Sequence, residues 1–282
     1  MPGAPVADAV LADVRARVLA LGARGRTPGL ATLLVGDDDA SAGYIRMKQT
    51  RAAELGFAAP HVHLPADSSQ ADVLAAIADF NTAPEVDAML FQYPAPPQID
   101  YDAALATVDP DKDVDGMQPV NMGRLALGLS GPIACTPAGI EAILAHYSIP
   151  VAGRSVVIVG RGATIGRPLA LLLSQKRPTA NAAVTVVHTG VRDWADYTRR
   201  ADIIVAAAGV PGMIQPEHLT PGVTVIGAGV RYEGRRLLPD VDESCEAVAG
   251  AITPRVGGVG PTTIAMLFRN AIAAAERHDP PN

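Results

Sequence analysis

Apolar residues recur at helical spacing over Val6–Leu21, Ala40–Leu55 and Ala71–Phe80, which predicts three helices with one buried face each. Between them stand short apolar runs, Ala31–Val35 and Ala88–Phe91, that read as buried strands. Gly56 follows the second helix where helices tend to stop. Strands alternating with helices of this length predict a parallel sheet. Pro94, Pro96 and Pro97 then break regular structure. Gln92–Pro97 is therefore expected as a stiff loop at a strand's C-terminal end, where open α/β sheets bind ligands.

A second unit opens after Thr136-Pro137, with a helix over Ala138–Tyr147. The apolar run Arg154–Gly160 predicts a buried strand that enters the turn Gly160-Arg161-Gly162-Ala163-Thr164-Ile165-Gly166. Pro168 suits the first turn of the helix that follows, Pro168–Leu173. Strands are predicted at Ala183–Val187, Ile203–Ala207 and Val223–Ile226, at βα spacing, and an amphipathic helix at Thr262–Glu276.

With 282 residues, 49% of them hydrophobic and 18% charged, the chain has material for two domains and a sizeable core. No apolar run approaches the roughly 18 residues of a membrane helix, and the N-terminus lacks the basic and apolar regions of a signal peptide. Cys135 and Cys245 give neither a disulfide framework nor zinc spacing, so the cytoplasm is the expected compartment. A net charge of −6 with only four Phe and one Trp argues against a nucleic-acid partner.

The densest polar chemistry is Pro110-Asp111-Lys112-Asp113-Val114-Asp115-Gly116, followed by Asn121-Met122-Gly123-Arg124-Leu125. So many charges are not expected in a core, so the segment should face something polar. Asp111, Asp113, Asp115 and Gly116 match the opening of a calcium loop, but Met122 stands where the bidentate Glu belongs, and no metal is expected. A solvated acidic turn and a carboxylate that recognises a ligand both stay open. Tyr44 and Lys48, four apart, share a helix face, and Ser41 ahead of them suits an N-cap.

The glycine turn reads as a dinucleotide-binding βαβ unit, although its GxGxxxG spacing is one residue longer than the usual fingerprint. A dehydrogenase using NAD offers an acid at the end of the next strand. Here His188-Thr189 stands there and Arg161 sits in the turn, which favours the 2′-phosphate of NADP. Simple exposure of Arg161 and Thr189 is the alternative.

These segments, taken with Gln92-Tyr93-Pro94, Cys135-Thr136-Pro137-Ala138-Gly139, Gly166-Arg167-Pro168 and Gly257-Gly258-Val259-Gly260-Pro261-Thr262-Thr263, resemble the bifunctional methylenetetrahydrofolate dehydrogenase/methenyltetrahydrofolate cyclohydrolases, in the family's order and over nearly the whole chain. The resemblance implies an α/β fold of two domains. Residues 1–131 plus 256–282 would form the folate-binding catalytic domain, with the C-terminal helix packing back on it, and 132–255 a Rossmann-like NADP-binding domain. It implies NADP-dependent oxidation of 5,10-methylenetetrahydrofolate to the methenyl cation, then hydrolysis to 10-formyltetrahydrofolate. Lys48 would be the main catalytic group of hydrolysis, with Gln92 supporting it. Tyr44 would pack on the folate rings and Asp115 hold the pterin, with Ser41, Gly258 and Pro261 also at the substrate. Gly160, Arg161, Gly162, Ile165, Gly166, Thr189, Gly209 and Val230 would meet the cofactor. Family members are commonly homodimers joined through the nucleotide-binding domain.

The chain departs from the family at several positions: Thr50 for a basic residue, Tyr93 for leucine, Gly162 for serine, Gly227 for aspartate, and Arg255-Val256 for Val-Pro. The opening Pro2-Gly3-Ala4 replaces the usual Ile-Asp-Gly-Lys motif. These changes keep two alternatives open, a divergent monofunctional dehydrogenase and a non-catalytic folate- or nucleotide-binding homologue.

Overall fold

The computed structural model describes residues 1–279 except Arg235, and for residues 39–42 the backbone alone. In chain order the elements are α1 (Ala4–Gly22), β1 (Leu30–Val35), α2 (Asp39–Leu55), β2 (His61–Leu64), α3 (Gln70–Thr82), β3 (Ala88–Phe91), α4 (Tyr101–Leu105) and α5 (Pro119–Ala126). There follow α6 (Cys135–His146), β4 (Ser155–Val159), α7 (Gly166–Leu173), β5 (Ala183–Val187), α8 (Ala195–Thr198), β6 (Ile203–Ala206) and β7 (Thr224–Gly227). The chain ends with β8 (Val230–Glu233), β9 (Arg236–Pro239), β10 (Ala251–Ile252) and α9 (Val259–His278).

By packing the chain divides into two compact units, one of which comprises Ala9–Arg124, Ser130–Ile133 and Leu267–Asn282. Its sheet has the order β2-β1-β3, all parallel, with Leu33 of β1 paired to Val62 on one side and Phe91 on the other. All six residues of β1 are buried, as a strand covered on both faces requires. The segment Lys112–Val114 runs on along β3, since Met89 N donates to Lys112 O at 2.7 Å and Val114 N to Met89 O at 3.3 Å. Val73, Ile77 and Phe80 of α3 pack on this sheet. The start of α3 is set by a capping box, Ser69 with Asp72. The C-terminal residues pack back on the same unit: the Phe268 ring lies 5.6 Å from that of Phe57, and Asn270 Nδ2 donates to Val114 O and Ile133 O.

The other unit comprises Met1–Asp8, Leu125–Leu129 and Ala134–Met266. Its five-stranded parallel sheet has the order β10-β7-β6-β4-β5, and β8 and β9 form a separate antiparallel hairpin. The chain passes from β4 to β5 on one side and to β6 on the other, so the strand order reverses at β4. Such a reversal opens a crevice at the C-terminal ends of the two strands, the place where doubly wound sheets bind ligands. Val157, Val159, Ile204 and Val225 form the core beneath it.

The period-based helices and strands match the structure to within a few residues. The pattern missed β2, whose His-Val-His-Leu sequence alternates exposed and half-buried positions at a sheet edge. It also missed the short helices α4, α5 and α8, the exposed hairpin β8–β9 and the two-residue β10. The helix α2 starts at Asp39, so Ser41 lies inside its first turn rather than capping it.

Candidate functional site

In the first-described unit, the order β2-β1-β3 reverses at β1, and the loops that leave β1 and β3 meet at that reversal. The loop after β1 leads into α2, which carries Tyr44 and Lys48; the loop after β3 begins with Gln92, whose N–H donates to Leu33 O at 2.9 Å. The two come together: Lys48 Nζ donates to Gln92 Oε1 at 3.1 Å. Gln92 Nε2 donates in turn to the carbonyl of Tyr93, which orients the amide so that its oxygen faces the lysine. Tyr44 is exposed one turn before Lys48. The side chain of Ser41 lies outside the described residues.

Asp115 reaches the same place because the Lys112–Val114 segment runs parallel to β3. Burial pushes its carboxyl up to about 6, with the charge of Lys48 opposing and that of Asp113 adding to the shift. Near neutrality it is therefore mainly a carboxylate, desolvated and suited to accept two N–H groups from a ligand. Beside it stands Tyr101, a residue that sequence reasoning missed. Its ring stacks on Phe91 at 4.6 Å and meets the edge of Tyr93 at 5.2 Å, while its hydroxyl donates to Phe91 O. Burial, then the charges of Asp115 and Asp113, hold that hydroxyl protonated. An aromatic residue ten positions beyond the last residue of β3 carried no signal by period or spacing.

The expectation that the whole acidic segment faces something polar is wrong for Lys112 and Asp113, which are 6% and 3% exposed. Lys112 Nζ is buried because it donates to Phe80 O and Ala83 O, both at 2.9 Å, and so caps the end of α3. Asp113 accepts from Gly116 N, Gln118 N and Asn121 Nδ2, which closes the turn that presents Asp115. Asp111 is the solvated member, paired with Arg124 at 2.8 Å. Two of the four charges thus build the loop and a third, Asp115, is offered by it.

In the other unit, Gly160 ends β4 with a φ of +127°, and a Cβ there would collide with Ala207 O. A Cβ on Gly166 would collide with Gly160 O, so both glycines are needed for the turn to fold back on itself. At Gly162 a Cβ would meet nothing within 4 Å, which leaves open space above the turn. Ile165 precedes α7 and offers no side-chain cap; Arg167 N turns back to donate to Gly162 O and Pro168 has no N–H, which leaves Gly166 N as the amide at the helix start that can face a ligand. A tight glycine cradle, open space and an uncapped helix start fit the pyrophosphate of a dinucleotide. Arg161 and Thr189 are exposed, and Gly190 N donates to His188 Nδ1 just past β5. Gly209 has a φ of +67°, and its N–H donates to the buried carboxylate of Asp240.

Val230 is exposed at the start of β8 and lines a hollow with Gly227, Thr253 and Arg255, the last ion-paired with Glu243 at 3.4 Å. Two of the chain's departures, Gly227 and Arg255, therefore share one hollow. Gly258 is buried, with space for a Cβ denied by Pro254 O at 2.6 Å, and Pro261 stands half-buried in the first turn of α9.

Residues 1–115 match the model of the tetrahydrofolate dehydrogenase/cyclohydrolase catalytic domain, and residues 134–279 that of the tetrahydrofolate dehydrogenase/cyclohydrolase NAD(P)-binding domain. The chain is 67% identical to the bifunctional protein FolD 1 of Salinispora tropica, over 98% of this chain and 90% of that relative. Its fold is similar to that of the bifunctional FolD of Campylobacter jejuni, with a TM-score of 0.93, 35% identity and 98% of each chain covered. It is equally similar to the Trypanosoma brucei FolD complexed with NADP cofactor and inhibitor: TM-score 0.92, 34% identity, 100% of this chain and 98% of that one.

Proposed function

The chain belongs to the tetrahydrofolate dehydrogenase/cyclohydrolase family, and on that footing we infer what its own residues do in the reaction. The protein is a bifunctional enzyme of folate one-carbon metabolism. It oxidises 5,10-methylenetetrahydrofolate to the methenyl form with NADP and hydrolyses that form to 10-formyltetrahydrofolate. The observation that carries the residue assignment is the Lys48–Gln92 hydrogen bond at the sheet reversal, beside the desolvated carboxylate of Asp115.

NADP, when bound, accepts the hydride. Gly160, Gly162, Ile165 and Gly166 cradle its pyrophosphate, and Arg161 and Thr189 meet the 2′-phosphate. Gly209 and Val230 complete the cofactor contacts. At the folate, Asp115 accepts the pterin amino group and ring N–H together, and Tyr44 packs against the ring system. Ser41, Gly258 and Pro261 are the remaining substrate contacts.

In hydrolysis, water adds to the methenyl carbon and Lys48 takes the proton that water gives up. The carbon–nitrogen bond to N5 then breaks as the added hydroxyl becomes the formyl carbonyl, so that the hydroxyl gives up its proton and N5 takes one up. Lysine has an unperturbed pKa of about 10.4, so it needs help to be neutral. The charges of Lys48 and Asp115 act on each other across the site. A bound pterin engages that carboxylate, and the cationic methenyl carbon repels the ammonium, so substrate itself lowers the pKa. Gln92 holds the amine without adding a negative charge.

We further propose a cytoplasmic homodimer joined through the nucleotide-binding domain, with no nucleic-acid or membrane partner. Cys135 and Cys245 are both buried and, among the described residues, form no disulfide, which suits a reducing compartment. Among the described residues no helix is long and apolar enough to cross a membrane. The test of the activity is an absorbance assay with 5,10-methylenetetrahydrofolate and NADP, then with methenyltetrahydrofolate alone. Reduced cofactor in the first and methenyl loss above the buffer rate in the second are expected. Cofactor reduction alone would leave a monofunctional dehydrogenase.

A further inference from the structure

Asp240 is fully buried just past β9, yet among the described residues it belongs to no ion pair, and no motif picked it out by spacing. Its Oδ2 accepts from Ala208 N at 2.7 Å and Gly209 N at 2.9 Å, and the N–H of Val210 also supports the carboxylate. Three successive amides that turn onto one anion, with a left-handed glycine among them, make a nest of the kind that binds phosphate. Here the protein's own carboxylate fills it. An outside anion is excluded, so this loop serves a ligand by its shape.

The place of the loop gives that shape its importance. It leaves β6, and the glycine turn leaves β4; these are the two strands between which the sheet order reverses. The loop also abuts the turn, since Ala207 O is the atom a Cβ on Gly160 would strike. Asp240 binds the neighbouring strand's loop as well: its N–H donates to Gly229 O, and a Cβ on Gly229 would collide with its Oδ2. Only glycine at 229 lets the carboxylate sit where it does.

We propose that Asp240 is a positioning residue for the dinucleotide: by holding Ala208–Val210 it sets one wall of the crevice whose other wall is the Gly160–Gly166 turn. This rests on the NADP reading above and extends it to a residue that need not touch the cofactor. Asp240→Asn keeps an oxygen for the loop but loses the charge, and Asp240→Ala loses both. Hydrogen bonds to a charged group imply a rise of about tenfold in the Kd and KM for NADP with Asn, more with Ala, and a smaller change in kcat. Hydrolysis of methenyltetrahydrofolate, which uses no NADP, should stay within about twofold and report that the chain is folded. Should the Asp240 variants not fold, Gly229→Ala displaces the same carboxylate without removing it and should raise the Kd likewise.

The measurement is calorimetric titration of NADP into wild type and variants, with both activities and the Tm recorded. Failure of the wild type to bind NADP would sink the functional reading itself. Wild-type binding with an unchanged Kd in the folded variants would overturn the role of Asp240. So would a fall of both activities together with the Tm, because general destabilisation gives no KM-against-kcat split.

Discussion

Lys48 Nζ lies 3.1 Å from Gln92 Oε1, joining the helix that follows β1 to the loop that follows β3. An amide oxygen can hold an ammonium or an amine with little preference, whereas a carboxylate would stabilise the charged form. Gln92→Glu is therefore expected to slow hydrolysis at pH 7.5 by about tenfold or more and to move its optimum to higher pH. A pH–rate profile checks this; an unshifted profile would detach Gln92 from the lysine.

Lys48→Met keeps the length and apolar body of the side chain and removes the amine. Loss of proton handling should lower methenyl hydrolysis by about a hundredfold or more. Oxidation of the methylene substrate, which needs no acid or base, should persist. The separate assays make the comparison, and full hydrolysis by this variant would end the assignment.

The same variant tests the neighbour. Burial raises the Asp115 carboxyl to about 6, and the charge of Lys48 keeps it from rising further. Dehydrogenase kcat/KM in the wild type should fall as the pH drops through about 6, because protonation removes one of the two acceptors the pterin uses. In Lys48→Met the acid limb should move to higher pH.

Asp115→Asn should lose folate affinity and gain stability. A carboxyl raised from roughly 3.9 in the unfolded chain to about 6 binds its proton more tightly when folded, so stability falls as the pH rises from about 4 to about 6 and stays reduced above. Removing the charge should restore roughly 3 kcal/mol at pH 7.5 and little at pH 4. Urea midpoints at the two pH values decide it; equal midpoints at pH 7.5 would show that the burial penalty is not expressed.

Arg161→Ser should raise the KM for NADP by about tenfold and leave that for NAD little changed, since an exposed arginine at the turn acts on the 2′-phosphate alone. Steady-state kinetics with both cofactors measure the ratio. Equal effects on both would make Arg161 a general phosphate contact instead.

Much of this was legible in the chain. Period and glycine placement located β1, α2, β3 and the strand–turn–helix around Gly160 because these elements bury one continuous face or bend where only glycine can. The resemblance brought Lys48, Gln92 and Asp115 into one list, and the structure brings them into one place. Charge density misled at Lys112, whose ammonium is satisfied by carbonyls from a helix end far back in the chain, and at Asp113, whose carboxylate is satisfied by Gly116 N, Gln118 N and Asn121 Nδ2 of the turn it closes. Tyr101 and Asp240 gave no local sign at all.

Local sequence determined which segments become helices and strands, because hydrophobic period and glycine strain act over a few residues. It determined the family as well, through short motifs in order. Only the tertiary structure decided which charges are scaffold and which are offered to a ligand. Desolvation and hydrogen bonding depend on what the fold carries alongside a residue, and for Asp113, Asp115 and Asp240 those neighbours arrive from other elements.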